Sequence, residues 1–159
     1  MEKVSTILSG VRILCVDDNK DILMLLETIF SVSGAKVTKC LSAEAAITQL
    51  HLHVFDVIVS DLSMPPGLDG YDLAHALRDM QRNEESPTPA MALSADAHQE
   101  SPKKRFGDFQ VYLSKPFDRK RLVDIVKRLA DADGEAVKAG SLSQYETDLA
   151  TVENPKENI

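Results

Sequence analysis

Apolar positions along this chain alternate between two kinds of pattern. Short continuous apolar runs, "VRILCV" (11–16), "DVIVSD" (56–61) and "AMALSA" (90–95), have the length and make-up of strands covered on both faces. "AKVTKC" (35–40) alternates instead, as a half-covered edge strand does, and "FQVYLSK" (109–115) reads as the last strand. Between these runs the apolar residues recur at helical spacing. Ile22, Leu25, Leu26 and Ile29 form one helix face, with Asp18 or Asn19 as its cap and Gly34 as its stop. Ser42 caps a second helix carrying Ala43, Ala46, Ile47 and Leu50 on one side. After the turn-rich "LSMPPGLDG" comes a third, with Leu73, Leu77 and Met80 in register. A weaker helical segment covers 97–106, and a final helix over 118–130 turns Leu122, Ile125, Val126 and Leu129 inward.

Five strand–helix units in alternation predict an α/β fold. Parallel strands need a crossover element between them, and right-handed crossovers place helices on both faces of the sheet. The expected architecture is a doubly wound sandwich: five parallel strands with five helices. In such sheets ligands sit beyond the carboxyl ends of the strands.

Composition narrows the function. The chain has 159 residues, 43% of them apolar, which suits one domain with an ordinary core and a short tail. The N-terminal "MEKVSTILSG" lacks the apolar run of a secretory signal, and no stretch approaches the roughly 20 apolar residues that span a bilayer. A soluble, cytoplasmic protein without a membrane partner is expected. Cys15 and Cys40 lie in strands and read as reduced core residues, and no C-x-x-C motif supports zinc or redox chemistry. The net charge of −7 is uneven: −5 falls from Asp131 onward and −2 on the first 130 residues. An acidic chain with a nearly neutral body is poorly suited to phosphate backbones, so no nucleic-acid partner is expected. The basic runs "KKRF" (103–106) and "DRKRL" (118–122) read as solvated helix faces. His51 and His53 have no further ligands close by and read as structural or solvent-facing.

The carboxyl ends of the expected strands carry the chemistry. Asp17 and Asp18 follow the first strand, Asp61 the third, Ser94 the fourth and Lys115 the fifth. Three carboxylates in one pocket repel one another unless a cation joins them, and Lys115 supplies one positive charge. A hard divalent ion with oxygen ligands fits the remainder; magnesium is usually held by one or two carboxylates, several waters and a phosphate. A carboxylate is also a nucleophile that can form an acyl phosphate, and phosphoryl transfer depends mainly on positioning and cationic stabilisation.

The motifs "CVDDN", "VIVSDLSMP", "LDGYDL", "MALSAD" and "YLSKPF", in this order, make the chain resemble the receiver domain of two-component response regulators. The resemblance covers residues 10–131, leaving an N-terminal extension (1–9) and an acidic tail (132–159). It implies a flavodoxin-like sheet of strand order 2-1-3-4-5. It implies that Asp61 is the phosphoacceptor, with Asp18 a direct magnesium ligand, Asp17 acting largely through water, and the backbone carbonyl of Ser63 also on the metal. Ser94 matches the switch hydroxyl, Lys115 the catalytic lysine, Tyr112 the aromatic that moves inward on activation, and Pro116 a proline joined through a cis bond. The implied partners are a histidine kinase or histidine phosphotransfer protein upstream and an effector protein downstream, with a phosphorylation-dependent homodimer as a candidate assembly. The implied reaction is phosphoryl transfer onto Asp61 followed by self-catalysed dephosphorylation.

Three positions depart from the family pattern. The turn after Asp61 is one residue longer than the commoner form, near Pro65-Pro66-Gly67. Pro102 falls within the segment expected to form the fourth helix, where an interior proline costs about 3 kcal/mol. Ser94 replaces the more frequent threonine. The tail is sparse in large aliphatics and rich in acids, and it has no room for a DNA-binding or catalytic output module. The chain therefore reads as a regulator acting through protein contact, which the Met1 start favours, or as the C-terminal receiver of a hybrid histidine kinase. A metal-dependent aspartyl phosphatase is a competing class, but such enzymes need a second acid two residues after the nucleophile, where Ser63 stands. A receiver-like module that is never phosphorylated would lack one of Asp18, Asp61 and Lys115.

Overall fold

A computed structural model describes residues 6–95 and 109–132. The five apolar runs become strands β1 (Arg12–Val16), β2 (Lys36–Cys40), β3 (Val57–Asp61), β4 (Ala90–Ser94) and β5 (Val111–Ser114). They form one sheet in the order β2-β1-β3-β4-β5, the expected 2-1-3-4-5 arrangement, and every pair is parallel. Leu14 in β1 stands opposite Thr38 on one side and Ile58 on the other. The described crossovers contain α1 (Lys20–Val32), α2 (Ala43–Leu52) and α3 (Gly70–Met80), and α4 (Arg119–Asp131) follows β5. The helix expected over 97–106, with Pro102 and the basic run at 103–106, lies outside the described residues, as does the tail from 133 onward.

Alternation along the strands divides the core into two layers. Ile13, Cys15, Val57, Val59, Met91, Leu93, Val111 and Leu113 face α1 and α4. Leu14, Val16, Ile58, Ala90, Ala92 and Tyr112 face α2 and α3. This covering of both faces explains why β1, β3 and β4 read as continuous apolar runs, while the edge strand β2, only partly covered, alternates. It also keeps the cysteines apart: Cys15 belongs to the first layer and Cys40 to the second, and both are free thiols. Burial pushes the Cys15 thiol well above its ordinary range, so it stays protonated.

The helix faces differ from the sequence reading in two places. In α1 the buried residues are Leu23, Leu26, Ile29 and Phe30, while Leu25 is 46% exposed and Ile22 only partly covered. The helix is rotated so that Phe30, with the largest apolar side chain available to it, enters the core; the spacing rule weighed positions equally and not by area. In α3 Leu73 and Leu77 are buried with Tyr71 and Ala74, but Met80 closes the helix and is 37% exposed. The α4 face is as expected, with Leu122, Ile125, Val126 and Leu129 all buried. Leu8 is fully buried in the same layer, and its N–H donates to the Ser33 carbonyl at 2.8 Å.

Each helix among the described residues begins with a side-chain cap: Asn19 for α1, Ser42 for α2, Asp69 for α3 and Asp118 for α4. In a strand–helix unit the helix N-terminus lies at the carboxyl end of the preceding strand. The caps, the first turns of the helices and the strand ends are therefore gathered on one edge of the sheet.

Candidate functional site

On that edge the sheet collects the residues that the sequence separates. Asp17 follows β1, Asp61 is the last residue of β3, Ser94 the last of β4, and Lys115 follows β5. Asp17, Asp18 and Asp61 each present a carboxylate oxygen within 4.8 Å of the others. Asp17 and Asp61 are buried and Asp18 is exposed. The Lys115 ammonium stands 2.9 Å from Asp17 Oδ2 and 3.4 Å from Asp61 Oδ1. Its backbone N–H donates to the Ser94 carbonyl at 2.7 Å, which ties the lysine to the end of β4.

The electrostatics of the cluster follow from this packing. Burial pushes the Asp61 carboxyl above its ordinary range, and the nearby Asp17 charge adds to the effect; Lys115 and the Ser63 N–H oppose both without cancelling them. For Lys115, burial works against the ammonium. The Asp17 hydrogen bond and the charges of Asp61 and Asp17 outweigh it, so the lysine stays protonated. Both Asp17 oxygens are engaged, Oδ2 by Lys115 and Oδ1 by the Asn19 N–H at 2.9 Å. Asp17 is thus held at both oxygens, Asp61 shares the Lys115 ammonium, and Asp18 is the exposed member of the three.

The remaining predicted residues fall at the rim and behind it. Ser63 is exposed and its N–H donates to the Asp61 carboxylate. Ser94 is half-buried at the end of β4. Tyr112 is buried under the α2–α3 layer, its ring edge-on to Phe109 at 5.7 Å, and Phe109 meets Tyr71 at 6.2 Å. The Lys115–Pro116 bond is cis, as expected, and Pro65–Pro66 is also cis.

Sequence reasoning missed two supports of this site. Asn19, a candidate helix cap by sequence, is one, but its N–H also orients Asp17. By sequence Gly70 is turn material. In the structure its bare Cα lets α3 start directly against the backbone of Asp61 and Leu62; a Cβ there would collide with the Asp61 carbonyl oxygen. The pairing of Asp69 as cap with a following glycine was the signal that α3 begins at this point.

The donor set fits a divalent cation. Three carboxylates against one ammonium leave an excess of two negative charges in a partly buried space, and all the available donors are oxygens. Asp17, Asp18 and Asp61 are the carboxylates close enough to one another to hold such an ion.

Comparison with known proteins agrees with this geometry. The family model for the response regulator receiver domain matches residues 13–127. The sensor histidine kinase GacS of Pseudomonas protegens is 33% identical over 118 residues, which cover 72% of this chain. The chain spans 13% of the length of that kinase. Among solved structures, the receiver domain of the sensor histidine kinase PA1611 from Pseudomonas aeruginosa, with a magnesium ion coordinated in its active site cleft, aligns with a TM-score of 0.68 at 30% identity. That alignment covers 77% of this chain and 99% of the other. The receiver domain of the Francisella response regulator 1452 aligns with a TM-score of 0.65, also at 30% identity, over 77% of this chain and 98% of the other.

Proposed function

This chain belongs to the response regulator receiver domain family, and from that membership we propose that Asp61 takes a phosphoryl group from a phosphohistidine on a partner protein. An Asp61 carboxylate oxygen attacks phosphorus, the P–N bond to the partner's imidazole breaks, and its electron pair returns to the ring nitrogen. The product is an acyl phosphate on Asp61. The partner is a histidine kinase or a histidine phosphotransfer protein. Hydrolysis later cleaves the acyl phosphate, with water supplying the oxygen, and restores the carboxylate and inorganic phosphate.

The observation that carries this reading is the pairing of one ammonium with two carboxylates beside a third, Lys115 to Asp17 and Asp61 with Asp18 open. Magnesium held by Asp18, Asp61 and the Ser63 carbonyl, with Asp17 acting through water, would neutralise charge on the phosphoryl oxygens. Before transfer, Lys115 favours the Asp61 carboxylate and offsets part of the burial that disfavours its charge. After transfer, the ammonium is within reach of the new oxygens and the Ser94 hydroxyl supplies a hydrogen bond. Their movement draws on the β4 and β5 ends, and Tyr112 two residues before Ser114 couples the edge to the aromatic cluster with Phe109 and Tyr71. The change is a population shift between two packings that alters a docking surface for an effector.

The similarity to GacS favours a second setting for the same chemistry, a receiver carried by a hybrid histidine kinase. An aspartyl phosphatase acting on outside substrates is disfavoured, because Ser63 replaces the acid such an enzyme requires. Incubation with a small acyl phosphate and magnesium tests the proposal. Intact mass is expected to rise by one phosphoryl group, and to stay unchanged in Asp61→Asn or under chelation. Labelling that persists in Asp61→Asn would count against Asp61 as the acceptor.

A further inference from the structure

We infer that Glu44, on α2, is a positioning residue for the metal-binding edge, because its carboxylate pins the loop that carries Ser63. The inference rests on the reading that this edge binds a divalent ion. The loop runs from the end of β3 to Asp69, the cap of α3. Its two ends are closed on each other by the Gly70 N–H, which donates to the Leu62 carbonyl at 2.9 Å. Its near half is anchored by Met64, which is buried in the α2–α3 layer. Its far half, Pro65 to Leu68, is exposed.

Glu44 holds that far half in two ways. The Leu68 N–H donates to Glu44 Oε2 at 3.3 Å. The same carboxylate lies so close over Gly67 that a Cβ at that position would run into it. Glu44 stands in the first turn of α2, just after the cap Ser42, so its side chain is at the level of the strand ends and not below them. A carboxylate is favoured there by the partial positive charge of the helix N-terminus, and a charged acceptor makes the stronger hydrogen bond. The loop therefore rests on α2 through one side chain, and a Cβ at position 67 would meet the free end of that side chain, which would have to turn aside. Release of this contact frees residues 65–68, the half of the loop that Met64 does not anchor, and the motion reaches the Ser63 carbonyl through Met64.

Two measurements on the full chain test the inference: exchange of the Leu68 amide without metal, and calorimetric titration with magnesium chloride alone. Glu44→Ala removes the acceptor, Gly67→Ala turns the Glu44 carboxylate aside from Leu68 without removing it, and Glu44→Gln keeps an acceptor oxygen. Glu44→Ala and Gly67→Ala are expected to speed Leu68 exchange about ten-fold and to weaken magnesium about three- to ten-fold, the scale of one lost hydrogen bond. Glu44→Gln is expected to remain within about two-fold of the parent in both, a rescue that a general loss of packing would not produce. Unchanged magnesium affinity in Glu44→Ala, or a Glu44→Gln protein as weak as Glu44→Ala, overturns the inference. A parent chain that binds no magnesium fails before any substitution is made; that outcome overturns the site reading and the inference together.

Discussion

The Lys115 ammonium stands 2.9 Å from Asp17 Oδ2, an ion pair between residues 98 positions apart that ties the end of β5 to the end of β1. The Asp17 side chain is 1% exposed and the Lys115 side chain 21% exposed, so solvent does little to replace the lysine if it is lost.

Lys115→Met therefore tests how much the pair stabilises the resting fold. Breaking a fully buried pair by removing one partner costs about 3–5 kcal/mol. Asp17 keeps its bond from the Asn19 N–H, and Lys115 is partly solvated. A loss of about 2–3 kcal/mol in urea unfolding is expected, below the range for a fully buried pair. A loss under about 0.5 kcal/mol, within the ordinary range for surface substitutions, would remove the pair as a structural element.

Asp61 makes the opposite prediction, because its carboxyl is raised from the ordinary value of 3.8, chiefly by burial and then by the Asp17 charge. A carboxyl raised in the folded state contributes stability below the unfolded value and loses it as pH rises through the folded one. With metal chelated, Asp61→Asn is expected to melt above the parent at pH 7. The gap should close as pH falls below about 4, where the parent carboxyl is protonated in both states. Melting curves from pH 3 to pH 8 check this; a variant that melts below the parent at pH 7 would reverse the sign. The burial that costs stability here is the same burial that keeps bulk water from the acceptor.

Leu8 lies before the span matched by the family model, yet it is fully buried against the α1–α4 layer. Leu8→Ala removes a packed side chain from a site that backbone bonds to Ser33 and Val11 hold in place, so collapse around the cavity is limited. A loss of about 2–4 kcal/mol is expected, with labelling of the folded protein unchanged. Stability close to the parent would mean that the segment is not part of the domain core.

What could be read from the sequence was what repeats along it or stands at a strand end. The doubly covered strands announced themselves as apolar runs, and their order of alternation with helices led to the sheet. The same alternation placed Asp17, Asp18, Asp61, Ser94 and Lys115 on one edge without knowledge of any distance. Rotation of α1 was not legible, since Leu23 and Leu25 are equally apolar and the choice between them is made by where Phe30 fits. The role of Glu44 was not legible either. Its contact with Leu68 spans 24 positions and joins α2 to the loop before α3, whose separation depends on how α2 and α3 pack.

Gly70 shows how an absent side chain sets the site. A Cβ at position 70 would collide with the Asp61 carbonyl oxygen and lie 2.9 Å from the Leu62 Cα and 3.1 Å from the Asp61 carbonyl carbon. All three atoms are backbone, so none can turn aside as a flexible side chain would. Gly70→Ala must push the start of α3 away from β3, and the Gly70 N–H bond to the Leu62 carbonyl lengthens with it. Overpacking of this kind costs about 1–3 kcal/mol. Because two of the three atoms belong to the acceptor's own residue, phosphoryl labelling is expected to fall further than the loss of folded protein explains. Urea unfolding and mass labelling on the same sample separate the two effects. Labelling that simply tracks the folded fraction would confine Gly70 to a role in packing.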